Sequence, residues 1–269
     1  MAQTTYLAHQ TVSDAQIQEW VETFHRQGFL FLRNVLPPDW CAQLRQDLEW
    51  ALENNPNGLN SGNPGGRMHL SHRMFEHSEA NRRLFDMEPI VTFAEALVAE
   101  NCHVIHNNSF QTFPGGGITT WHQDDAPHYL VLDGKPPTNV RLPVLLFTAN
   151  YYLTDVTEVE HGGTEVIPGS HLFGASPPKA LEESEWADKI QYNLGKAGSV
   201  VMFNNQVWHR GGPNKSQRTR HITQVTYARR LVGHKYYPFM NYSMPMSVYK
   251  DANPRLQRLL GFLNHGAYG

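Results

Sequence analysis

Within Trp121-His122-Gln123-Asp124-Asp125 an imidazole and a carboxylate stand two residues apart. In an extended chain, residues i and i+2 share a face, so His122 and Asp124 can reach one metal ion together. Taken alone, the pair reads more readily as a surface histidine beside a turn, because many sequences contain H-x-D. A second imidazole from a distant strand would change that, and His209 fits. It follows Phe203-Asn204-Asn205-Gln206-Val207-Trp208 at the end of an apolar strand pattern and is followed by the loop signal Gly211-Gly212-Pro213-Asn214. Two imidazoles and one carboxylate form the facial set that suits Fe(II) and leaves positions open for a keto acid and O2. Arg220 lies eleven residues beyond His209, where a next strand is expected. Its planar fork can hold a distal carboxylate in two parallel hydrogen bonds.

These residues need a scaffold, and the pattern supplies one. Ser13 followed by Gln16 resembles a capping box, and Ile17, Trp20, Val21 and Phe24 recur at helical spacing until Gly28. Phe29–Leu32 reads as a short buried strand. Trp40, Leu44, Leu48 and Leu52 predict a second helix over Pro38–Asn54, and a third is expected over roughly Glu79 to Glu100. Between them, residues 55–66 are rich in Asn, Gly and Pro and read as a long loop, a feature that is more often functional than accidental. From Cys102 the pattern changes to short apolar runs separated by turn residues: His103–Phe113, Val140–Leu153, Gly163–Ile167, Ser199–Phe203 and His221–Arg229. A short helix is expected around Pro254–Leu263. The expected fold is mainly β with a helical cover (α+β), its core an all-β sandwich or barrel. We read one domain over 1–269: a helical part to about 100, a β core over about 101–232 and a tail with a helix over 233–269.

Bulk composition narrows the class. At 269 residues and 40% hydrophobic content, one large core is feasible. A formal charge of −3 gives no sign of a nucleic-acid binder. The N-terminus shows no secretory pattern and no long apolar run suggests a membrane span, so a cytoplasmic protein is expected. Cys41 and Cys102 read as free buried thiols. Fifteen histidines are many for this length and justify the search for a site.

Four motifs in order then carry a resemblance. His122-x-Asp124, the run His161–His171 ending Pro168-Gly169-Ser170-His171, His209, and Asn214-x-Ser216-x-x-x-Arg220 together resemble the phytanoyl-CoA dioxygenase family. The likeness runs from the Gly28–Leu32 strand to the Asn253–Phe262 tail. It implies a double-stranded β-helix, or jelly roll, with Fe(II) on His122, Asp124 and His209. It further implies 2-oxoglutarate and O2 as co-substrates, with Arg220 on the far carboxylate. His171 is read as structural. Many relatives carry a serine two residues after the distal histidine; here Gly211 stands there. Gln111 and Asn150 are therefore candidate co-substrate contacts. Retained Asp124 points to hydroxylation, or dealkylation through it, rather than halogenation.

Substrate candidates follow from position. Residues 65–73 carry Arg67, His69 and His72 and could clamp an anion. His128 and Tyr129 lie just past the metal motif, and Tyr236-Tyr237 and Asn241-Tyr242 lie near the C-terminus. No basic cluster demands coenzyme A, so a small polar metabolite, amino-acid-derived or a natural product, is favoured. The partner is thus a small molecule, with no nucleic acid or membrane, on a monomer or homodimer. The alternatives are an acyl-CoA hydroxylase, a catalytically silent jelly roll that binds metal or ligand, and a cupin-like zinc or manganese enzyme. A cupin usually shows more histidines in its first motif and gives Arg220 no role.

Overall fold

The structure is a computed structural model and describes residues 5–262 apart from 64, 133, 137 and 236–241. Ser13 caps helix α1 (Asp14–Gln27) by accepting the Gln16 amide, and Gly28 closes it with φ 78°. Glycine holds this left-handed geometry cheaply. It is also required for space, since a Cβ there would lie 2.4 Å from Nδ1 of His171. Strand β1 (Phe29–Leu32) and helix α2 (Pro38–Asn54) follow, as the pattern predicts.

The first departure lies in the expected loop. Strand β2 (Ser61–Gly62) lies within it and pairs with β3 (Met68–His72) just beyond it, with Gly65 and Gly66 at positive φ between them. The polar side chains of β3 hide its alternation, but its backbone is satisfied by pairing along β4 (His103–Thr112). The expected third helix is two, α3 (Glu79–Arg82) and α4 (Ile90–Leu97). Pro89 separates them: it lacks an N–H and crowds the residue before it, so a helix cannot run through it. Strand β5 (Leu146–Tyr152) begins only after Pro143, not at Val140. The remaining elements are β6 (Thr164–Val166), β7 (Gln191–Tyr192), β8 (Val200–Asn204), β9 (His209–Gly211), β10 (Arg220–Ala228), α5 (Met246–Tyr249) and α6 (Pro254–Leu259).

Two antiparallel sheets result, a seven-stranded one in the order β1-β8-β5-β10-β4-β3-β2 and a three-stranded one, β7-β6-β9. Alternation along the large sheet gives its faces opposite characters. Phe147, Ala149 and Tyr151 of β5 and Val225 and Tyr227 of β10 join α1 and α4 in the main core. There Phe24 sits 5.8 Å from both Phe93 and Phe147, ring to ring. The alternate residues Thr148, Asn150, Ile222 and Gln224 line a gap against the small sheet. Tyr152 spans that gap: its hydroxyl donates to the Asn193 carbonyl at 3.0 Å and accepts the Thr164 amide at 2.9 Å. At the other end of the chain, Arg255 of α6 pairs with Glu88 and Glu95 and ties the tail to the helical cover. This is the mainly β core with helical cover that the sequence predicts. Both cysteines are buried and unpaired. Among the described residues no helix is long and apolar enough to cross a membrane.

Candidate metal centre and co-substrate cavity

His122 does not lie in a regular strand. Its backbone instead forms a single antiparallel bridge with His209, each amide donating to the other's carbonyl at 3.0 and 2.9 Å. The bridge sets the two rings 4.3 Å apart, centroid to centroid. Asp124 is fixed by its amide donating to the Asn205 carbonyl at 2.9 Å. One ligand atom from each of His122, Asp124 and His209 falls within 4.8 Å of the others, and Oδ1 of Asp124 is 3.7 Å from Nε2 of His209.

The ring orientations suit ligation. Nδ1 of His122 donates to the Thr120 carbonyl at 2.8 Å, and Nδ1 of His209 donates to the Val207 carbonyl at 2.9 Å. With the proton fixed on Nδ1, each Nε2 keeps its lone pair for a metal. Burial lowers the pKa of His209 against the opposing charge of Asp124, which favours the neutral ring that a metal needs.

Arg220 opens β10 opposite Thr112 and is buried. Its Nη1 donates to the Gly212 carbonyl at 3.3 Å and its Nη2 to Oγ1 of Thr112 at 3.4 Å, both long, while Nε has no partner among the described residues. Burial lowers its pKa to about 10, Tyr152 and Glu165 opposing, so it stays charged at neutral pH. A buried cation with loosely used donors is costly unless a ligand supplies the counter-charge. It lines a cavity of about 160 Å³ together with His122, Asp124, His209 and Asn150. The donor set fits a divalent first-row metal, and the guanidinium fits a co-substrate carboxylate. Gly211 also faces this space. A Cβ there would meet nothing nearer than 3.5 Å, so the missing serine reflects no steric exclusion.

The other candidate residues divide by alternation. Asn150 lines the cavity, accepting from Nε2 of Gln224 at 3.0 Å and reaching Oγ1 of Thr164 at 3.3 Å. Gln111 does not line it. Its neighbours Phe110 and Thr112 face the site, so Gln111 points to the opposite face and its amide stands 3.4 Å from Nε2 of His221. The proposed clamp over residues 65–73 likewise stays outside the cavity. Arg67 lies against Gly115, and His69 packs edge-on to Phe113. His72 is bonded between Ser61 and Asn108, and only Met68 of that strand lines the cavity. His128 contacts Asn205 and Asp125 and lines a separate cavity of about 480 Å³ with Tyr129. Tyr242 donates to Glu76, away from the metal cluster, while Tyr236, Tyr237 and Asn241 lie outside the described residues. His171 packs on Gly28 and donates from Nε2 to the His25 carbonyl at 3.0 Å, a structural post at the end of α1. His106, Gln224 and Lys235 line the cavity without having been singled out by sequence. Alternation counted from Thr112 back along β4 would have found His106.

Known proteins resemble this chain in both sequence and fold. The chain is 21% identical over 275 residues to "Dioxygenase trt7" of Aspergillus terreus, covering 94% of this chain and 86% of that one. The fold resembles the epimerase SnoN in complex with Fe3+, alpha ketoglutarate and nogalamycin RO, with TM-score 0.65 and 18% identity over 87% of this chain and 94% of that one. It also resembles HygX from Streptomyces hygroscopicus with nickel, 2-oxoglutarate and hygromycin B bound, with TM-score 0.63 and 15% identity over 81% and 89% of the two chains. The sequence profile described as phytanoyl-CoA dioxygenase (PhyH) matches residues 24–222, a span that contains the metal cluster and Arg220. With the profile covering most of the chain and the fold matching, the protein belongs to the phytanoyl-CoA dioxygenase family.

Proposed function

We propose that the protein is an Fe(II)- and 2-oxoglutarate-dependent dioxygenase that hydroxylates a small polar metabolite, or dealkylates it through hydroxylation. The observation that carries this reading is the buried, loosely bonded Arg220 facing the same cavity as His122, Asp124 and His209. Groups of two histidines and a carboxylate occur in many contexts; one that shares a cavity with a buried, loosely bonded guanidinium suits a chelating acid. His122, Asp124 and His209 hold the metal and leave its remaining positions to the cavity. Arg220 holds the far carboxylate of 2-oxoglutarate and so fixes which end of the keto acid meets the metal. Asn150 and Gln224 present amides to the same space. When bound, iron with 2-oxoglutarate and O2 supplies the oxidation, with succinate and CO2 released as oxygen is delivered to a C–H bond. The chain's own part is ligation, orientation and exclusion of unproductive water.

Hygromycin B and nogalamycin RO are bound by the two solved relatives in fold, which supports a natural-product-class small molecule here. We place the protein in the cytoplasm as a single-domain monomer or homodimer, without nucleic-acid or membrane partners. An acyl-CoA substrate is disfavoured because, of the cations lining the cavity among the described residues, Arg210 is paired with Glu165 and Glu182 and Arg220 is assigned to 2-oxoglutarate, which leaves Lys235 alone to meet a nucleotide diphosphate. Turnover of phytanoyl-CoA with no activity on small polar acids would reverse that preference. The test of the class is anaerobic addition of Fe(II) and 2-oxoglutarate, which should give a weak visible charge-transfer band, followed by succinate release in air. Metal-loaded protein that never develops the band would refute the chelate. Protein that shows the band but releases no succinate with any candidate substrate would favour the silent binding reading.

A further inference from the structure

His106 and Arg220 occupy opposite ends of one cavity. Arg220 pairs with Thr112 of β4, whereas His106 stands six residues back along that strand, opposite Thr226. At the usual rise of a strand this is a separation of roughly 20 Å along the backbone. Lys235 joins the His106 end, its amide donating to the Ile105 carbonyl at 3.1 Å while its side chain lines the cavity. The ammonium is near enough to act on both His106 and His209, and Asp124 acts on His106 from the metal side.

A chain of hydrogen bonds sets the His106 ring. Oγ of Ser61 lies 2.9 Å from Nε2 of His72, and Nδ1 of His72 lies 3.1 Å from Oδ1 of Asn108. Nδ2 of Asn108 then lies 2.6 Å from Nε2 of His106. An amide nitrogen only donates and an amide oxygen only accepts, so the direction runs one way. His72 gives its Nδ1 proton to Asn108, Asn108 gives a proton to Nε2 of His106, and His106 carries its own on Nδ1. Burial holds His106 neutral, with a pKa of about 3. The ring is therefore a fixed neutral donor rather than a titrating base.

Charge in the cavity then points to a ligand. In the oxygenase reading, on which this inference rests, Fe(II) and Arg220 are matched by Asp124 and the two carboxylates of 2-oxoglutarate. Arg210 is already paired with Glu165 and Glu182. Lys235, exposed at the mouth of the cavity, forms no ion pair among the described residues and is the lining cation left for a ligand to meet. We propose that the substrate is a carboxylic acid. The Lys235 ammonium and the His106 ring hold its carboxylate at this end of the cavity. Its apolar body lies along Phe110, Met68 and Ile118. The anion clamp that the sequence suggests at Arg67, His69 and His72 is thereby moved to Lys235 and His106, with His72 acting through Asn108 as a positioning residue.

The test uses the whole protein loaded anaerobically with Fe(II) and 2-oxoglutarate, monitored by its visible band. 3-Phenylpropionate is the probe and 3-phenylpropanamide its neutral match. The acid should perturb the band at a concentration at least about tenfold below the amide, the advantage expected of a charge pair in a partly shielded site. Lys235→Met, which keeps the aliphatic stem, should erase that preference while the band itself persists. His106→Leu should weaken the response to the acid, and His106→Gln should restore part of it by returning a neutral donor. An acid no better than its amide, including no response to either, overturns the proposal, as does a preference that survives Lys235→Met. Failure of the band to form at all instead sinks the oxygenase reading and the carboxylate proposal with it.

Discussion

Arg220 shows how much one side chain can decide. Its guanidinium is buried, charged at neutral pH, and held by two long bonds with one donor unused. Arg220→Ala should leave the metal in place and raise the half-saturating 2-oxoglutarate concentration by roughly 30- to 100-fold. That factor corresponds to about 2–3 kcal/mol for charged hydrogen bonds. Succinate release measured against 2-oxoglutarate concentration checks this, and an unchanged requirement would remove the role assigned to Arg220. His122→Ala should abolish iron retention and turnover while far-ultraviolet circular dichroism stays native, because the ligands sit on a packed scaffold. Iron per chain after desalting is the measurement. At this scale the sequence was legible where spacing carries meaning: the H-x-D pair, the histidine before a glycine loop, and the arginine on the following strand. His106 was not, since either of the two histidines in His103–Thr112 looks like any half-buried ring until the register is known. Lys235 was not, because its place depends on how an irregular tail returns to β4.

The junction of α1 and β1 belongs to the scale of elements. Gly28 ends the helix in a left-handed turn, and His171, from the short helical turn Ser170–Leu172, presses Nδ1 against it. Gly28→Ala should therefore destabilise the fold twice, by about 1–2 kcal/mol for the backbone and by a similar amount for the clash. In a His171→Ala background only the first part should remain. Urea unfolding of the four proteins measures the difference, and an equal cost in both backgrounds would show that the ring contact is irrelevant. Element boundaries were readable where a cap or a glycine marks them, as at Ser13, Gly28 and Pro38. They failed where a polar strand offered no alternation to read, at Met68–His72, and where Pro89 cut a pattern that periodicity alone carried through.

Across the whole molecule, buried neutral histidines couple stability to acid. Burial holds His103, His171 and His221 each at a pKa of about 4 against an ordinary 6.5. The unfolded chain binds those protons first as pH falls, so stability is full above about pH 6.5 and is lost as pH drops toward 4. At about 1.4 kcal/mol per group per pH unit, the three groups over about two pH units set an upper bound of about 8 kcal/mol on the loss. Thermal unfolding between pH 7.5 and 4.5 should show a falling midpoint. His221→Gln, with one such group removed, should show a shallower fall; an equal slope would mean that His221 is not among the groups responsible. The order of helices before strands made the overall class readable. The division of strands between two sheets was not, because β7 and β9 are only two and three residues long and pair through contacts distant in sequence.

The mutual backbone bridge between His122 and His209 has a consequence for how the centre can be taken apart. Two of the three donors arrive as a templated couple, spaced by peptide geometry rather than by side-chain packing. The third is an attachment, carried past the bridge on a side chain that remains 23% accessible. Removing the attachment leaves the template standing with a gap one carboxylate wide. Asp124→Ala should then be open to chemical complementation: millimolar formate should restore part of the iron retention that the substitution abolishes. No such rescue is expected for His209→Ala, where the loss falls within the couple itself.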